Sequence, residues 1–255
     1  MRHYVVEAVV LKNINYGDSN KIYTLYTRQN GKITAVARGI RKLQSRRAGS
    51  MDTLNHIKAK IYEDSRGYKT IQEVEAVNTF KDIKADLSRV FRALYILDIL
   101  NKFHEVDDGS EVIFNNLINT LNMLEVHRHP SELLVAHFEI ILLKLLGFQM
   151  NVSKCSICEK KLSSEWDNVK FNYSLGGLIC DTCEETGFFM DIQTALLLSR
   201  IEQKEFGNYS QDLYGKSMVQ ADAVIRNYMT YVSDEVLRYS KTYNILQGRI
   251  LNEDL

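Results

Sequence analysis

Proline is almost missing from this sequence: Pro130 is the one proline in 255 residues. With no Ser/Gly-rich run either, no stretch reads as a long flexible linker. Long apolar runs are also missing. The longest, Ile140 to Phe148, is interrupted by Lys144, and it falls short of the roughly 20 residues a bilayer-spanning helix needs, so no membrane segment is expected. The early apolar run Tyr4 to Leu11 is broken by Glu7, so no secretory signal is expected, and a cytoplasmic location is the expectation. Internal repeats and low-complexity segments are absent. No nucleophile stands beside an identifiable base, so the chain reads as a binder and not an enzyme.

What is present supports a folded core. Hydrophobic residues make up 45% of the chain, enough for one or two domains with a small insert. Net charge is zero because 32 Lys and Arg balance 32 Asp and Glu, yet the charges are segregated. Residues 1 to 50 hold ten cations against Glu7 and Asp18, a local charge of +8. A basic end joined to an acidic remainder points to a polyanion surface on the first and protein-facing or scaffold duties on the second.

The first eighty residues alternate with a period of two, which predicts strands over Tyr4 to Asn13, Lys21 to Arg28, Lys32 to Arg38, Asp52 to Asp64 and Tyr68 to Val77. Asn30-Gly31 and Arg66-Gly67 supply hairpin turns. Five strands with a long connection between the third and fourth suit an OB-fold barrel at residues 1 to 80, a fold that often binds nucleic acid. That connection holds Arg38, Arg41, Lys42, Arg46 and Arg47, with no Asp or Glu from Ala35 to Met51. Together with Lys21, Arg28 and Lys32 on the flanking strands, these cations form the candidate DNA-binding set. A solvated charge run is the bland alternative. Tyr23 and Tyr26 are candidates to stack on bases, although adjacent strand positions face opposite ways and one of the two is expected in the core.

From Lys84 the period becomes helical, giving a helical domain over 81 to 255 in an α+β chain. Leu87, Val90, Phe91, Leu94, Leu97 and Leu100 mark one buried face, and Asp107-Asp108-Gly109 a stop. A second helix starts behind Ser110 with Ile113, Leu117, Leu121 and Leu124 inside. A third starts at Pro130 and stops at Gly147. These three consecutive helices are expected to form one bundle. Two more follow, one from Asp191 through Ile201 and a long one from about Ser217 to Tyr239.

All four cysteines lie between the third and fourth helices, as Cys155-Ser-Ile-Cys158 and Cys180-Asp-Thr-Cys183. Each pair can chelate one ion from a tight turn, and two pairs complete a tetrahedral thiolate set suited to one structural Zn2+. The intervening segment, with Trp166, Val169 to Tyr173 and Gly176-Gly177, reads as strands, so a zinc ribbon is expected as an insert at about 152 to 188. Two disulfides or a redox Cys-x-x-Cys are the alternatives. The first needs an oxidising compartment, and the second needs one pair near a βαβ unit.

Other motifs carry less. Gly215-Lys216-Ser217 resembles the end of a P-loop, but Ser210 stands where the motif requires glycine and a helix precedes it, so a capped helix start is expected. His127-Arg-His129 sits in a turn before Pro130, without a partner at ligand spacing.

In serial order, Tyr16-Gly-Asp18, Lys21 to Thr27, Gly31-Lys32, Ala37 to Lys42 with Ser45-Arg46, Leu145 to Phe148, Cys155 to Cys158 and Gly176 to Cys183 resemble the bacterial RecO family of DNA repair and recombination mediators over nearly the whole chain. The resemblance implies an N-terminal OB-fold, a helical domain and an inserted zinc finger. It implies binding of single- and double-stranded DNA, strand annealing, and work with RecR and the C-terminal tail of single-stranded DNA-binding protein to load RecA at the bacterial nucleoid. The alternatives are a zinc-ribbon assembly factor whose barrel binds RNA, and a nuclease.

Overall fold

The alternation of the first eighty residues is realised as five strands in the computed structural model of the chain, which describes residues 1–42, 48–102, 111–126, 129–204 and 211–232. The strands are β1 (Arg2–Tyr16), β2 (Asn20–Thr27), β3 (Gly31–Ala37), β4 (His56–Glu63) and β5 (Lys69–Asn78). They close a barrel in the order β1-β2-β3-β5-β4, the arrangement of an OB-fold. Closure depends on the length of β1. Its first half pairs with β4 (Val6 with Ala59) and its second half with β2 (Asn13 with Tyr23), across a register shift between Val10 and Lys12. Such a bulge bends the strand and raises its twist. The barrel closes at β3 and β5 through a parallel contact of Val36 with Thr70.

The barrel interior is filled by the inward member of each alternation: Val6, Ala8 and Val10 from β1, Tyr23 and Leu25 from β2, Ile33, Ala35 and Ala37 from β3, and Ile57, Ala59, Ile61 and Ile71 from β4 and β5. At the Asn30-Gly31 turn Gly31 has φ +55°, a conformation that glycine adopts without steric cost. The Thr27 hydroxyl donates to the Gly31 carbonyl and accepts from the Asn30 amide.

Three helices follow: α1 (Lys81–Ala85), α2 (Leu87–Lys102) and α3 (Glu111–Val126). Beyond them come α4 (Ser131–Leu145), strands β6 (Asn151–Cys155), β7 (Val169–Asn172), β8 (Gly177–Ile179) and β9 (Phe188–Met190), then α5 (Ile192–Glu202) and α6 (Gln211–Val232). The described residues fall into two compact units, the first ending at Val126 and the second made of those that follow. The three consecutive helices expected as one bundle are therefore shared out: α1 to α3 belong with the barrel, and α4 packs with α5 and α6.

The apolar face of α2 also differs from expectation. Leu87 and Leu94 are exposed, while Ala93, Ile96, Ile99 and even Arg92 are buried together with Leu97 and Leu100. Apolar residues occupy almost every position from Val90 to Leu100, so spacing alone could not select the inward face. The α4 stop matches expectation. Gly147 has φ +87°, its amide donates to Lys144 and the Phe148 amide donates to Leu143, which satisfies carbonyls that a helix end leaves orphaned. Among the described residues no helix is long and apolar enough to cross a membrane.

Strands β6 to β9 form a small sheet in the order β6-β8-β7-β9, inserted between α4 and α5 and docked on α6. Phe171 is fully buried with its ring against Tyr228, centroids 5.5 Å apart. The glycines of this sheet are places of close approach. A Cβ on Gly177 would lie 2.2 Å from Ser156 Oγ, 2.8 Å from Asn151 Cβ and 3.0 Å from the Asn151 carbonyl oxygen. Gly177→Ala is expected to destabilise the second unit by about 2–3 kcal/mol, as overpacking does. Urea denaturation followed by the single Trp166 tests this, and a change under about 0.5 kcal/mol would show the sheet accommodates the methyl group.

Candidate metal centre and nucleic-acid interface

Because β6 and β8 lie side by side, the two cysteine pairs that follow them meet at one end of the small sheet. In the first turn the Ile157 amide points at Cys155 Sγ, 3.5 Å away, and Glu159 adopts φ +61° so that the chain doubles back to a Lys154–Lys161 bridge. In the second, the Cys180 amide also points at Cys155 Sγ, 3.5 Å away. The sulfurs stand 3.9 Å apart for Cys155 and Cys183, 3.6 Å for Cys158 and Cys180, and 3.6 Å for Cys180 and Cys183. A tetrahedron with metal–sulfur bonds of about 2.3 Å has edges of about 3.8 Å. All four thiols are free, and the separations far exceed a sulfur–sulfur bond of about 2.05 Å. These four residues could hold a metal ion.

The electrostatics of the cluster favour thiolate at Cys155 and Cys180. Burial works against ionisation of Cys180, but the Thr182 hydroxyl and amide and the Cys158 and Cys183 thiols bring its pKa down to about 6. Burial opposes ionisation at Cys155 as well, yet the amides around its sulfur hold it below the ordinary thiol value. Cys183 is pushed up to about 12, by burial and then by its three neighbours. Four thiols this close cannot all ionise alone, and a bound cation is what resolves that repulsion.

The second candidate site lies at one end of the barrel. The end of β1, the start of β2, the end of β3, the start of β5 and the end of β4 converge there, as the pairs Tyr16 with Asn20, Lys21 with Ala37, Val36 with Thr70 and Glu63 with Lys69 require. Arg38, Arg41 and Lys42 are exposed at this mouth. The start of the basic connection is built onto the β1–β2 turn: the Arg41 amide donates to Ser19, its guanidinium to Gly17, and the Gly39 amide to Asn20 Oδ1. The far end is anchored too. Met51 is buried, and the Asn55 side-chain amide donates to the carbonyls of Gly49 and Ser50 while its oxygen accepts from Lys84. Arg46 and Arg47 lie outside the described residues.

Other members of the expected set are placed differently. Lys21 is half-buried at the mouth and donates to Asn13 Oδ1 at 3.0 Å. Lys32 donates to the carbonyl of Asn101 in α2. Arg28 is engaged by Glu7 at 2.8 and 3.0 Å, by Glu111 at 2.9 Å and by Asn115 at 2.8 Å, and its guanidinium lies 4.9 Å from the centre of the Phe114 ring. Tyr23 and Tyr26 are both buried: Tyr23 fills the barrel, and Tyr26 faces out but stacks on Phe114 of α3, centroids 6.5 Å apart. Neither can stack on a base. The aromatic rings exposed at this mouth are Tyr16 and Tyr68, the latter beside Arg66 in the β4–β5 hairpin. The Arg66-Gly67 turn signal was available to find Tyr68.

Glu7 also accepts from His56 Nε2 at 2.8 Å, so the cluster joins β1, β2, β4 and α3. Arg28 hydrogen bonds hold the Glu7 carboxyl below its ordinary 4.5, and burial holds His56 below its ordinary 6.5. Both shifts have the same sign for stability, because in each case the unfolded chain takes up the proton more readily. Stability is therefore expected to fall as the pH drops below 6.5, and to fall again below 4.5. Burial of His137 in α4 acts the same way in the upper window. Denaturant midpoints from pH 8 to 4 test this: His56→Gln should flatten part of the loss between pH 6.5 and 5, and an unaltered profile would remove His56 from the account.

Gly215-Lys216-Ser217 lies inside α6, which starts at Gln211, and Ser217 is buried. These residues do not cap the helix start as expected, and helical pairing of their amides leaves no phosphate cradle. Of His127-Arg-His129, only His129 is among the described residues.

Residues 1–80 match the family described as Recombination protein O N terminal, and residues 84–235 the family described as Recombination protein O C terminal. The chain is 32% identical over 188 residues to a DNA repair protein RecO of Symbiobacterium thermophilum, covering 73% of this chain and 74% of that one. Over 234 residues, 90% of this chain and 92% of the other, it is 29% identical to a DNA repair protein RecO of Thermoanaerobacter sp.. It is 31% identical over 175 residues, 69% and 68% of the two chains, to a protein of that name from Bacillus mycoides.

Proposed function

Since this chain belongs to the RecO family of DNA repair proteins, we propose that it binds single- and double-stranded DNA at the barrel mouth and anneals complementary strands without nucleotide hydrolysis. It hands the DNA on with RecR, docking on the tail of single-stranded DNA-binding protein, for loading of RecA. The observation that carries this reading is the convergence of Lys21, Arg38, Arg41 and Lys42 with the exposed rings of Tyr16 and Tyr68 on one end of an OB barrel. OB-folds bind oligonucleotides with the sheet face and loops around such an end. Cations there neutralise phosphates, and aromatic faces stack on bases of any sequence.

Annealing is opposed chiefly by repulsion between two phosphate backbones. A cationic mouth that screens one strand raises the encounter rate, and the duplex supplies the driving force at about 1.4 kcal/mol per base-pair step. Cys155, Cys158, Cys180 and Cys183 fit one Zn2+; bound there it would supply folding energy and no catalysis, because four protein sulfurs leave no open position.

The test is annealing of complementary strands with and without single-stranded DNA-binding protein, in the absence of ATP and Mg2+. Acceleration that weakens with salt supports the reading. No acceleration, with RNA bound as tightly as DNA, would favour an RNA-binding assembly factor instead. In calorimetry at low salt, the acidic tail peptide of single-stranded DNA-binding protein is expected to bind the full chain, and absence of heat would count against that partner.

A further inference from the structure

We infer that Cys158 is a peroxide-sensitive thiol whose oxidation closes a Cys158–Cys180 disulfide and expels the metal. This rests on the zinc reading above, and it starts from an asymmetry within the cluster. Cys155 and Cys180 are buried at 0% and 1% exposure and Cys183 is half-buried, whereas Cys158 is exposed. It sits at the tip of the first turn, between Ile157, itself 48% exposed, and the exposed Glu159 and Lys160. Oxidation of cysteine follows access to the sulfur as well as its thiolate character, so a small oxidant meets Cys158 first.

The partner follows from geometry. Cys180 Sγ is 3.6 Å from Cys158 Sγ, so a shift of about 1.5 Å reaches bonding distance. The Cys158 thiolate attacks one oxygen of hydrogen peroxide and breaks the O–O bond, giving a sulfenic acid and hydroxide. The Cys180 thiolate then attacks the Cys158 sulfur and displaces a second hydroxide. Two thiolates are oxidised by two electrons to one disulfide, and one peroxide is reduced to two hydroxides, which take up protons as water. Two of four ligands are thereby withdrawn, leaving Cys155 and Cys183, a pair that cannot complete a tetrahedral site. The new bond also ties together turns 22 residues apart in sequence.

The experiment uses the full chain with its zinc content measured first. One equivalent of hydrogen peroxide is added, released zinc is followed with a metallochromic chelator, and remaining thiols are alkylated before peptide mapping. The expected result is loss of the bound zinc in step with loss of two thiols, a cross-linked peptide joining Cys158 to Cys180, and recovery of both thiols and zinc after dithiothreitol and added Zn2+. Cys183→Ser, which keeps both reacting residues, should form the same cross-link. A first cross-link between Cys180 and Cys183 or between Cys155 and Cys183, or thiols still intact at a tenfold excess of peroxide, would overturn the inference. A chain that carries no zinc at the outset refutes the zinc reading, and the cross-link map of its thiols still decides between Cys158–Cys180 and the other pairs.

Discussion

Reversing the charge of Arg41, Lys42, Arg46 and Arg47 to glutamate is expected to weaken binding to single-stranded DNA by on the order of 10³-fold at 50 mM salt. The expectation follows from counterion release. Each phosphate neutralised contributes about −0.7 to the slope of log K against log salt on a single strand, and a parent chain engaging about four to six phosphates should show a slope of roughly −3 to −4. Removing four of those contacts should flatten the slope by about 3 units. Arg28→Ala supplies the contrast, because its guanidinium is held by Glu7, Glu111 and Asn115. Losing it leaves Glu7 short of its main partner and should cost about 2–3 kcal/mol of stability with little change in the salt slope. Filter binding across a salt series checks both variants. An unchanged slope in the fourfold variant would move the DNA surface away from the basic connection, and a large fall in slope for Arg28→Ala would return that residue to it.

If the proposed zinc is bound, chelating it is expected to unfold the small sheet selectively, since structural zinc contributes on the order of 10 kcal/mol to the domains it closes. Trp166 is the chain's one tryptophan and is 2% exposed in the connection between β6 and β7, with Lys160 Nζ 5.9 Å from its ring centre. Its emission should shift to the red as a strong chelator removes zinc and return when Zn2+ is restored. DNA binding at the barrel should survive, because the barrel core is complete within residues 6 to 71. Cys155→Ser should reproduce the chelated state, as that sulfur is fully buried and collects two amides. Elemental analysis alongside the fluorescence decides the matter: zinc fully removed with Trp166 emission unmoved would show that the sheet folds without metal.

Much of the fold was legible where the governing chemistry is local. The turn at Asn30-Gly31 and the stop at Gly147 need left-handed backbone, and glycine stands at both. The cysteine pairs were legible because a two-residue spacing is the reach of one chelating turn, and their sulfurs do meet. The inward face of α2 was not, since nearly every residue from Val90 to Leu100 is apolar and the period is lost in a continuous run. The extent of α6 was missed at its start, where Gly215 disguises a helix interior as a boundary.

Local patterns in the sequence were enough to place the five strands of the barrel and to foretell that four cysteine sulfurs meet, because alternation, turn residues and ligand spacing act over a few positions. Packing selects which cations and rings stay exposed at the mouth. Alternation says that Arg28 and Tyr26 leave the barrel interior; it does not say that α3 waits outside. Phe114 covers Tyr26, and Glu111 takes Arg28 across 83 residues of chain. Tyr16 and Tyr68 keep their faces exposed among the described residues. Whether an outward side chain meets water or another element is settled by packing between distant segments, and no local pattern encodes it.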